Sequence, residues 1–79
     1  MTNREKYIGA FVESFDVKED QVSGLTYQSI PAWDSVGHMG LIANVEDAFD
    51  IQFETDDIIE FSSFEKGIEL LKKYDVVID

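Results

Sequence analysis

The stretch Ile30-Pro31-Ala32-Trp33-Asp34-Ser35-Val36-Gly37-His38-Met39 decides how the chain is read, because it sets a loop against the start of a helix. Ile30, Pro31 and Trp33 close the loop. Asp34 is a residue type that caps helix N-termini, and Met39, Ile42, Val45 and Phe49 then recur at helical spacing. Ser35 is therefore expected in the first turn of a helix, beside backbone N–H groups that have no partner within it. The positive end of the helix dipole favours an anionic substituent there, and a phosphate ester on Ser35 would be well placed.

Outward from this stretch, the helical wheel divides the following residues into two faces. Met39, Ile42, Val45 and Phe49 are expected to face the core. Val36, Gly37, Gly40, Asn44 and Asp47 are expected to face outward, with bare backbone at both glycines and an exposed apolar side chain at Val36. Upstream, Thr2 and Glu5 have capping-box spacing, and Tyr7, Ile8, Phe11, Val12 and Phe15 trace one face of a first helix ending near Asp16. Residues 17–33 read as a long loop pinned by Val22, Leu25 and Ile30, with room for a short helical turn at Glu19-Asp20-Gln21-Val22.

Downstream, Thr55 is placed as the cap of a short third helix, near Asp56 to Glu60, that carries Ile58, Ile59 and Phe61. Ser62 and Glu65 have capping-box spacing for a last helix. It buries Phe64, Ile68 and Leu71, holds Lys72 and Lys73 in its final turn, and ends by Tyr74 or Asp75. Val76-Val77-Ile78 reads as a docked tail. The fold expected is a single all-α domain over residues 1–79, a small four-helix bundle with a long loop after the first helix and a short third helix.

Composition narrows the function. A chain of 79 residues buries only about 60% of its unfolded surface, which leaves little room for a deep enzyme cleft. Ten aromatic residues exclude a disordered tail, and the lack of cysteine excludes disulfide staples and thiolate zinc sites. No apolar run approaches about 20 residues and no signal-peptide pattern stands at Met1, so a cytoplasmic protein without membrane insertion is expected.

The net charge of −11 is concentrated: no Lys or Arg stands between Lys18 and Lys66, and that span holds 11 of the 17 acids. The flanks carry six acids and six bases and balance. A surface of this kind repels nucleic acid and speeds encounter with basic partner faces.

Two other chemistries are considered and set aside. Ser35 and His38 lie three residues apart, but Gly-x-Ser-x-Gly is absent and one histidine at helical spacing is no triad. His38 is expected as a partly buried ring bonding a loop carbonyl. The acids at Asp47, Asp50, Glu54, Asp56 and Asp57 lack calcium-loop spacing and have no glycine in the run, so no metal site is assigned.

Asp34-Ser35-Val36 opening an amphipathic helix, with Met39, Leu41-Ile42 and the acidic run Glu46-Asp47-Ala48-Phe49-Asp50 behind it, resembles the acyl carrier protein family. The similarity runs from about Ile30 to Phe64 and more loosely to both ends. It implies a 4′-phosphopantetheine arm on Ser35, attached from coenzyme A by a phosphopantetheinyl transferase with Mg2+, and acyl or aminoacyl groups carried as thioesters. It implies a monomeric carrier with no catalytic residue of its own, serving acyl-activating and acyl-transfer enzymes with basic docking faces. Asp34 would help present Ser35, while Val36, Gly37, Gly40, Asn44 and Asp47 would meet partners.

Gly37 and Gly40 stand where the commoner fatty-acid carriers have acidic or polar residues. Ala32-Trp33-Asp34-Ser35 also lacks the Gly-Gly-x-Ser context of peptidyl carriers. The resemblance therefore points to a specialised biosynthetic pathway. The alternative, from the residues alone, is a small acidic helical interaction module with no prosthetic group.

Overall fold

Thr2 opens the first helix through the reciprocal bonds its spacing predicts: its Oγ1 accepts from the Glu5 N–H at 3.1 Å, and Glu5 Oε1 accepts from the Thr2 N–H at 2.9 Å. In the computed structural model, which describes residues 1–78, helix α1 (Asn3–Phe15) ends at Asp16 in the left-handed region, φ 54°. The Asp16 N–H there donates to the Val12 carbonyl, closing the last turn. Tyr7, Ala10, Phe11 and Phe15 are buried along one face. A single 3-10 turn, Glu19–Gln21, follows and sets Val22 into the core.

Helix α2 (Ser35–Phe49) packs against α1. Its buried residues are Leu41, Ile42 and Val45, whereas Met39 is 54% exposed. The core stripe thus runs His38, Leu41, Ile42, Val45 and Phe49: Ile42, Val45 and Phe49 face the core as expected, and only the head of the stripe moves, from Met39 to His38. The cause is His38, a polar residue at the head of the stripe that two hydrogen bonds turn inward, so an apolar-only count slides to its neighbour.

Helix α3 (Thr55–Glu60) is preceded by Glu54, not capped by Thr55, and no side chain of its own segment caps it. The Tyr74 hydroxyl takes that place by accepting from the Glu54 N–H at 3.0 Å. Helix α4 (Phe64–Lys72) is capped by Ser63 instead of Ser62, with Ser63 Oγ accepting from the Lys66 N–H at 2.9 Å. Ser62 is engaged otherwise: its carbonyl accepts from the Tyr27 N–H at 2.8 Å, beside an isolated antiparallel bridge between Thr26 and Ser63. With the Phe64 N–H donating to the Leu25 carbonyl at 3.0 Å, this bridge ties the long loop to the junction of α3 and α4. Val76 and Ile78 are buried at the end of the described chain.

The core is largely aromatic. Trp33, fully buried, stacks on Phe15 at 5.2 Å between ring centroids and meets Phe11 edge-on at 5.6 Å. Phe11 in turn meets Phe61 and Phe64, so α1, the loop and both later helices share one cluster.

Among the described residues, one carboxylate is buried. Asp57, 5% exposed, accepts from the Tyr74 hydroxyl at 2.5 Å and from Lys73 Nζ at 2.9 Å. The tyrosine bond, then the lysine, holds its carboxyl below the ordinary value. Lys73 is mostly exposed, so the tyrosine bond carries most of the effect. A lowered folded pKa means stability that is present above the unfolded value of about 4 and lost as pH falls through the folded value. The melting temperature of the wild-type chain should therefore exceed that of Asp57→Asn by a constant margin above about pH 5, and the margin should shrink on further acidification. Melts across pH 3–7 check this, and a margin that grows in acid contradicts it.

Candidate functional site

Asp34, extended and just outside α2, accepts from the Gly37 N–H at 2.8 Å and so occupies one of the donors at the helix start. Ser35 is the first residue of the 15-residue helix and is exposed. Its hydroxyl stands at the positive end of the helix dipole, where a phosphate ester is electrostatically favoured.

Beneath Ser35 the elements are locked by His38. Trp33 Nε1–H can only donate, so His38 Nδ1, 2.9 Å away, accepts. The ring is then neutral and carries its hydrogen on Nε2, which donates to the Ile58 carbonyl at 2.7 Å. That carbonyl belongs to the last turn of α3, where the helix itself provides no donor. One imidazole thus joins the loop, α2 and α3. With both nitrogens engaged, neither is left to take a proton from the Ser35 hydroxyl. The sequence predicts a half-buried His38 on a carbonyl, and it is found so, although the carbonyl lies in a helix.

Ser35 also lines a cavity of about 420 Å3, walled by His38 and Met39 from α2 and by Ile58 and Ile59 from α3. Tyr27 and Phe61 complete the apolar wall, each with its ring edge-on to His38, at 5.6 and 6.1 Å between centroids. The cavity is not foreseen from the sequence. Its one signal there is Ile58-Ile59, since adjacent residues of a short helix cannot both face the core.

The outward residues of α2 divide. Val36 is 79% exposed, and Gly40 and Asp47 are exposed on the same face. Asn44 is half-buried, and its Nδ2 donates to Ser14 Oγ at 2.7 Å, tying α2 to α1. Gly37 also departs from the expected open face: a Cβ there would stand 1.9 Å from the Ala32 carbonyl oxygen, so this glycine lets the loop cross the helix start. At Gly40 a Cβ would meet nothing within 4 Å.

The two glycines should therefore respond oppositely. Gly40→Ala should stabilise by up to ~1 kcal/mol through helix propensity, and Gly37→Ala should destabilise by about 1–3 kcal/mol because the loop must move. Thermal melts of the two variants check this, and shifts of the same sign contradict it.

Asp34, next to the serine, is exposed, as are Asp47, Asp50, Glu54, Asp56 and Glu60 farther along the chain, and neither α2 nor α3 contains a Lys or Arg. Among the described residues, no three of His, Cys, Asp and Glu are placed to share a metal ion, and no helix is long and apolar enough to cross a membrane. Fold and site together define a small acidic all-α domain that offers a serine hydroxyl at a capped helix start beside an apolar cavity. No protein-family model matches the chain, and neither does any curated protein or solved structure.

Proposed function

We propose that the chain is a carrier of the acyl-carrier kind, with its four helices arranged as a small bundle and a 4′-phosphopantetheine arm borne on Ser35. The observation that carries this is Ser35 itself: an exposed hydroxyl at the first residue of an Asp34-capped helix that contains no Lys or Arg, lining an apolar cavity. The helix start favours the phosphate that joins arm to serine, and the cavity offers apolar surface within reach of what the arm carries. The chain performs no catalysis. It is the substrate of a phosphopantetheinyl transferase and then presents thioesters to acyl-activating and acyl-transfer enzymes of a specialised pathway in the cytoplasm.

Partners with basic faces meet α2 at Val36, Gly40 and Asp47, the residues the fold leaves outward, and the surrounding negative field speeds the encounter. The chain is expected to act as a monomer. Incubation with coenzyme A, Mg2+ and a broad-specificity transferase should add one phosphopantetheinyl group to the wild-type chain and none to Ser35→Ala, as read by intact mass. A wild-type chain that stays unmodified would leave the acidic interaction module without a prosthetic group as the function.

A further inference from the structure

His38 follows Ser35 by one turn of α2, and its half-buried ring has three aromatic neighbours. Trp33 stacks on it with 15° between the ring planes, while Tyr27 and Phe61 meet it edge-on. The two bonds of the ring differ in what they demand of it. Nε2–H donates to the Ile58 carbonyl, and an imidazolium would do the same. Nδ1 must accept from the Trp33 Nε1–H at 2.9 Å, and an imidazolium, with a hydrogen on each nitrogen, cannot accept.

A proton on Nδ1 therefore sets two N–H donors against each other. The indole belongs to a fully buried residue, so the bond it loses is not replaced by water. The groups around the ring offer the new charge no carboxylate to bond. On α2, Asp34 is exposed and its Oδ1 already accepts from the Gly37 N–H. On α3, Asp57 is committed to Tyr74 and Lys73, and Glu54 stands exposed four residues before Ile58. The loop contributes Tyr27, and the α3–α4 junction Phe61 and Ser62. An unfolded chain places no such restriction on an imidazole, which takes up its proton near pH ~6.5. Stability that depends on the Trp33 bond is therefore present above that range and lost as pH falls through it.

We propose that His38 is an acid-sensitive latch. Neutral, it holds the Trp33 loop and α3 together around the start of α2. Protonated, it keeps Ile58 and releases Trp33, so the segment that leads into Asp34 and Ser35 is the first to loosen. The latch does not depend on what Ser35 carries, and the carrier reading stands or falls separately by mass.

The first test is a titration of the wild-type chain from about pH 7.5 to 5.5, followed by NMR at the indole N–H of Trp33, the one tryptophan of the sequence. That resonance should move toward the position of a tryptophan free in water. The second test compares melting temperatures with His38→Gln, which keeps one acceptor and one donor but does not titrate. Between the same two pH values the wild-type chain should lose about 4 °C relative to this variant, because the carboxylates common to both cancel. In Trp33→Phe, where Nδ1 has no donor to lose, the acid loss relative to neutral pH should be absent. An indole resonance that does not move overturns the inference, as does a constant gap between wild type and His38→Gln. The same acid loss in Trp33→Phe also overturns it, since burial of the ring would then be the cause. Should His38→Gln fail to fold, the wild-type resonance and Trp33→Phe still decide.

Discussion

Trp33→Ala should lower stability by about 3–5 kcal/mol, the range for truncating a buried large aromatic. A domain of this size has only about 5–15 kcal/mol in total, so the variant should stand near the edge of folding. Trp33 is fully buried, stacked on Phe15 and edge-on to Phe11, so its removal opens the centre of the aromatic cluster. It also removes the donor that fixes His38, and with it the tie between the loop and α3. Trp33→Phe separates the two effects. It keeps most of the ring and leaves His38 Nδ1 without its donor, and should lose about 1–3 kcal/mol. Urea denaturation of both variants checks this. Equal losses would mean that the ring's packing contributes nothing beyond the hydrogen bond, and a loss below about 1 kcal/mol in Trp33→Ala would contradict the packing described.

Gly67→Ala should destabilise by about 1–3 kcal/mol or more, although alanine is the better helix former by ~1 kcal/mol at an exposed position. A Cβ at Gly67 would lie 2.1 Å from the Tyr7 hydroxyl oxygen and 2.3 Å from Phe61 Cζ. Neither neighbour yields easily: both rings are buried, and the Tyr7 hydroxyl donates to the Phe64 carbonyl at 2.6 Å. Burial pushes the ionisation of that hydroxyl far above its ordinary value, so it remains a donor throughout the range in which the protein is handled. The melting temperature should fall by several degrees at least, where helix propensity alone predicts a rise. A rise would show that α4 can move away from α1 without loss.

The helix starts at Thr2 and Asp34 are legible in the sequence because capping is local chemistry: an oxygen acceptor two or three residues before an unpaired N–H. The starts of α3 and α4 are less so, because their satisfaction comes from afar. Tyr74 reaches back to Glu54, and the bridge from Thr26 and Tyr27 occupies the Ser62 carbonyl and shifts the cap to Ser63. The same limit governs the site. Ser35 and its cap can be placed from Asp34 and the helical spacing that follows it, whereas the cavity is assembled from the loop, α2, α3 and the α3–α4 junction. Met39 is misplaced because a count of apolar residues cannot see that His38, bonded at both nitrogens, turns inward. Gly37 has the opposite problem, since nothing in its own helix reveals that the Ala32 carbonyl crosses above it.

The most direct test of the carrier account is the intact and fragment mass of the chain purified from its own cells, without added transferase. The account predicts a phosphopantetheinyl increment confined to the peptide that contains Ser35. A chain carrying no increment when its native transferases are active, or carrying it on Ser14, Ser23, Ser29, Ser62 or Ser63, would contradict it.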